Sequence, residues 1–133
     1  MNWMLVLVLS IPGVMMGLLS VRGHTRGIEP YLWGLLAIFA ALVIARNAGE
    51  QYFFHGLSVG IAWGVVNGLI AFSLFSVYAQ HNPEVIQRIA AGARGPSPRV
   101  MFALSAPMIG LLTGLVLGVL SWGASHVIKS AVR

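Results

Sequence analysis

Few side chains in this sequence can do chemistry, and they lie far apart along the chain. His55 opens one long apolar stretch and His126 closes another. Neutral imidazole is a common metal ligand, and two histidines on neighbouring helices can hold haem iron or another metal. Glu50 sits near the level of His55, and Gly56 beside it would leave room for a flat macrocycle. Asn67 lies near the middle of the stretch that His55 opens. An amide there can bond a neighbouring helix, worth about 0.6–2 kcal/mol, or meet a ligand.

The remaining ionisable groups offer less. Glu29, Glu50 and Glu84 are the only acids, and the sequence places all three in loops or at helix ends. Ion-coupled transporters usually bury a carboxylate inside a span, and no span here is predicted to carry one. His24 and His81 fall in polar segments and are expected to be solvated. No helical metalloprotease motif, phosphate-cradling glycine loop or nucleophile elbow occurs. No catalytic residue and no enzyme activity are therefore expected. The chain has no cysteine, which excludes disulfides, thiolate metal sites, iron–sulfur clusters and cysteine lipidation. No metal site is predicted, and no cofactor is expected beyond the haem or pigment reading of His55 and His126.

The elements that must position these residues follow from composition. The 133 residues are 58% hydrophobic and only 8% charged, against roughly 25% charged in a soluble domain. So little charge cannot cover a soluble surface, so the long apolar runs are read as bilayer-spanning helices. The net charge is +5, but the basic residues flank apolar segments instead of forming one patch. That pattern speaks for anchoring and topology, not for nucleic acid.

The sequence predicts an all-α membrane protein in one polytopic domain over residues 1–133. Four transmembrane helices are expected, at about 2–21, 30–48, 52–79 and 99–128. A short interfacial helix is expected at about 83–93, between the third and the fourth. The N-terminal run lacks a basic n-region and a small-residue cleavage site, and is kept as a helix. Pro12 should kink it. Pro30 suits the first turn of the second helix, and Tyr31 and Trp33 its interface. Asn82, Pro83 and Glu84 read as the start of the interfacial helix, with Arg88, Arg94 and Arg99 near lipid headgroups.

Small residues recur every four positions. Gly56, Gly60, Gly64 and Gly68 line one face of the third helix, and Ala106, Gly110, Gly114 and Gly118 line one face of the fourth. Gly13 and Gly17 form a pair in the first helix, and Ala37, Ala41 and Ala45 a stripe in the second. In a bilayer such stripes let helix backbones approach closely. The third and fourth helices are expected to fill each other's grooves, or to offer one groove to another protein.

Four spans put both termini on one side with Arg46, Lys129 and Arg133, and leave Arg22, Arg26, Arg88, Arg94 and Arg99 on the other. The positive-inside rule then favours termini outside the cytoplasm, in a membrane expected to be a bacterial inner membrane. The functional expectation is a non-enzymatic membrane protein acting through helix packing. It would be an accessory or structural subunit of a larger membrane complex or a small homo-oligomer, with the bilayer and other subunits, or itself, as partners. A second expectation is a small-solute channel or transporter whose third and fourth helices line the path, with Asn67 facing it. A third is a haem or pigment carrier using His55 and His126.

Overall fold

The computed structural model describes residues 1–92 and 95–131. It is all-helical: α1 is Trp3–Val21, α2 Glu29–Asn47, α3 Tyr52–Ser73, α4 Phe75–His81, α5 Pro83–Gly92 and α6 Pro98–Ala131. Four of these, α1, α2, α3 and α6, are long and apolar enough to cross a membrane.

Local chemistry sets the helix ends. The Asn2 side chain accepts from the Leu5 amide at 3.1 Å and caps α1. Glu29 opens α2 and Arg46 lies in its last turn, each at the pole that suits its charge. The α2–α3 turn places Gly49 and Gln51 at positive φ, 69° and 54°. The Tyr52 hydroxyl braces that turn by donating to the Gly49 carbonyl at 2.6 Å.

The bundle is organised on the antiparallel pair α3 and α6. Gly56 faces Leu117 and Gly118, Gly60 faces Gly114, Gly64 faces Gly110, and Gly68 faces Ala106. A methyl group on Gly56 would lie 2.7 Å from Gly118 Cα, so no larger residue fits without moving the helices apart. Lipid tails are as apolar as leucine, so this contact gains by close van der Waals fit and not by escape from water. Each glycine groove is thus filled within the same chain.

α1 lies on a second face of α3, with Gly13 against the Trp63 ring and Gly17 against Asn67 and Ile70. α2 packs mainly on α6. At the end holding the N-terminus the four spans close on Val6, Leu9, Ala41, Ile44, Val59 and Leu117. At the opposite end a smaller cluster joins Val21, Ala71 and Tyr78 to Phe102.

Two helices differ from the sequence expectation. The helix predicted over 52–79 is two helices, parted at Leu74 (φ −104°, ψ 30°). Tertiary contacts reward the break: Tyr78 packs edge-on against Phe102 at 4.9 Å between ring centroids. Buried Asn82 donates to the carbonyls of Ser20 and Tyr78, both at 3.1 Å. The last helix extends to Pro98–Ala131 instead of 99–128. Its 34 residues exceed a hydrocarbon core of roughly 30 Å, crossed by about 20 residues, so α6 protrudes or tilts. The short helix expected between the third and fourth spans is seen over Pro83–Gly92 with no residue fully buried; Ala93 lies outside the described residues, as do Arg94 and Arg133. An ion pair between Arg26 and Glu84 ties it to the α1–α2 loop.

Candidate functional site: a polar cavity in the open half of the bundle

Beyond the packed core at the N-terminal end, the spans and α4 leave a partly open cavity of about 410 Å³ that reaches Ala71, Tyr78 and Phe102, within the range of small-molecule sites, roughly 300–1,000 Å³. It exists because its α3 and α6 walls are small there: Gly64, Gly68 and Ala106 line it. Trp63 also lines it and belongs to the packed core, against which Trp33, another lining residue, is packed. The Trp63 indole N–H donates to the Leu9 carbonyl at 2.8 Å. That carbonyl is next to the one that Pro12 leaves without its usual helical donor.

Polar groups enter the cavity from all four spans and from α4. Glu29 comes from the first turn of α2. Its Oε2 accepts from Ser20 Oγ at 3.2 Å and Thr25 Oγ1 at 3.1 Å, and its Oε1 from Trp33 Nε1 at 3.3 Å. All three donors are neutral. Among the described residues no lysine or arginine pairs with Glu29; the one ion pair joins Arg26 to Glu84. Tyr78 enters from α4, and its hydroxyl is pushed above the usual tyrosine range, first by burial and second by the negative charge of Glu29.

Asn67 also lines the cavity. The amide was expected to bond a neighbouring helix. Instead its side chain rests on Gly17, and among the described residues no side-chain hydrogen bond joins it to a partner. Its polar atoms are not sealed from the cavity space. Thr113 and Ser105 of α6 add two hydroxyls.

The histidine constellation resolves differently. His55 is buried, and both of its ring nitrogens are engaged inside the chain. Nε2 accepts from the Asn2 amide at 2.8 Å and Nδ1 lies 2.9 Å from the Gln51 carbonyl. The second contact must be a donation, so His55 carries its proton on Nδ1 and keeps no lone pair for a metal. His126 is exposed, stacks on Trp122 at 4.5 Å between centroids and bonds the Trp122 carbonyl. Glu50 is exposed in the α2–α3 turn. Among the described residues no group of three or more metal-ligating side chains comes together. His55 and His126 are thus each hydrogen-bonded within the chain in this structure, and His55 offers no free ring nitrogen.

Glu29, Trp33, Trp63 and Tyr78 are the residues that sequence reasoning passed over. Glu29 and Trp33 are four apart, hence on one face of α2, and that spacing is the one signal that could have pointed to them. No protein-family model, no curated protein and no solved structure matches this chain.

Proposed function

We propose that this is a membrane protein that takes a small polar solute into the cavity between its four spans, as a carrier does, and is not an enzyme. The observation that carries the reading is the unpartnered Asn67 amide facing a cavity beside Glu29. Polar groups inside a helical bundle are costly unless satisfied, and a solute would satisfy these. The packed core at the N-terminal end of the bundle favours a carrier with one closed end over an open channel.

The packing reading loses its main support at the same place. The glycine faces of α3 and α6 contact each other, and those of α1 contact α3. They give no reason to invoke an accessory role, a larger complex or a second copy. The arginine bias favours placing the α4–α5 end in the cytoplasm and both termini outside, and a bacterial inner membrane is the proposed location.

Thermal melting of the purified protein against a panel of small polar solutes tests the proposal. A bound solute raises the midpoint by mass action. At least one solute should stabilise the wild type and fail to stabilise Asn67→Leu. No shift across cationic, neutral and anionic solutes would contradict the reading.

A further inference from the structure

We propose that the solute is a small organic cation, a protonated or quaternary amine, held by the Glu29 carboxylate and by the aromatic rings around the cavity. The inference rests on the reading that the cavity takes a solute. It comes from the chemistry of the lining. Among the described residues one carboxylate, Glu29, and no lysine, arginine or histidine contribute to it. Four aromatic residues do: Trp33, Trp63, Tyr78 and Phe102. They form two pairs, with Trp33 and Trp63 centroids 5.5 Å apart and Tyr78 and Phe102 4.9 Å apart. Aromatic faces carry negative potential and attract cations, most strongly where water is scarce.

The carboxylate is held but not neutralised. Ser20, Thr25 and Trp33 fix its position through three neutral hydrogen bonds. A carboxylate has about four acceptor sites, so capacity remains on Oε1, which takes the single Trp33 bond. An anion would meet repulsion with no countercharge on the lining. A neutral solute would leave the Glu29 charge without a partner. A cation meets the carboxylate and an aromatic lining together, beside the Asn67 amide, and the size fits an amine of small-molecule dimensions.

Three probes of one shape separate the possibilities: choline, its neutral carbon analogue 3,3-dimethylbutanol, and the anion 3,3-dimethylbutanoate. Calorimetric titration of the purified protein in detergent should show choline binding at least about tenfold more tightly than the alcohol, with the anion weakest. Glu29→Gln should cost choline about tenfold and leave the alcohol within about twofold. Trp33→Leu should also weaken choline more than the alcohol. The ratio in the wild type decides even if either variant fails to fold. Equal or tighter binding of the alcohol or the anion overturns the cation assignment and leaves the solute reading standing. Binding of none of the three overturns the cation assignment; the solute reading falls as well only if the melting panel is also flat.

Discussion

The Trp63 indole nitrogen lies 2.8 Å from the Leu9 carbonyl oxygen, joining α3 to α1 at the level where the bundle changes from packed to hollow. Gly13 is what lets the ring lie so close to α1, since a methyl group at that position would collide with it. Trp63→Phe keeps most of the ring and removes the donor. It should lower unfolding stability in detergent by about 1 kcal/mol, the usual scale for an interhelical hydrogen bond. Its effect on the cavity volume should be small, so any solute that stabilises the wild type should still stabilise this variant.

Glycine positions should separate into two groups. Gly60 and Gly64 meet the backbone of α6, whereas Gly34 and Gly123 have nothing within 4 Å of where a Cβ would be. Gly60→Leu should cost about 3 kcal/mol or more, at or beyond the usual overpacking range. Gly34→Ala should be neutral or stabilising by up to about 1 kcal/mol. Light scattering should show that the folded fraction of Gly60→Leu keeps the oligomeric state of the wild type. A change of oligomeric state without loss of stability would mean that this face binds another chain.

The two glycine faces were legible in the sequence, but not which helix each would meet or in what register. Two stripes of period four, one ending at Gly68 and the other beginning at Ala106, made an antiparallel contact one of two options, and the fold chose it. Composition likewise gave four spans, because nothing else buries so many apolar residues. The break at Leu74 was not legible. Ser73, Leu74 and Phe75 include no glycine or proline, and the reward for breaking lies in Tyr78 and Asn82, whose partners are distant in sequence. Glu29 was hidden for a related reason. At a helix start an acid is sufficiently explained by the dipole, and only the fold brings Ser20 and Tyr78 beside it.

His55 should behave as a structural acceptor. His55→Leu removes the partner of the Asn2 amide and should loosen the first turn of α1. Hydrogen exchange across that turn should then quicken, at an overall cost of about 1 kcal/mol. The purified wild-type protein should show no Soret band. A haem spectrum lost in His55→Leu would contradict the hydrogen-bond assignment.

Tyr78 predicts an alkaline sensitivity. Burial first, and the Glu29 charge second, push its hydroxyl above the usual tyrosine range in the folded state, so the native protein holds this proton more tightly than the unfolded chain does. The associated stability is fully present below the unfolded pKa and is lost as pH rises through the folded value. Melting measured at about pH 9 and about pH 11 should show a larger drop for the wild type than for Tyr78→Phe. Equal drops would mean that the phenol is not held in its neutral form by burial and by Glu29.

The absence of cysteine gives the most direct measurement of the central claim, that water and solutes enter the bundle beside Asn67. Thr113 lines the cavity, whereas neighbouring Leu112 points outward from the bundle and is 59% exposed on that face. Single-cysteine variants Thr113→Cys and Leu112→Cys, in native-like membranes, are treated with a charged, membrane-impermeant methanethiosulfonate reagent. The account predicts rapid modification of Thr113→Cys and none of Leu112→Cys. An unreactive Thr113→Cys, or equal reaction at both positions, would contradict it.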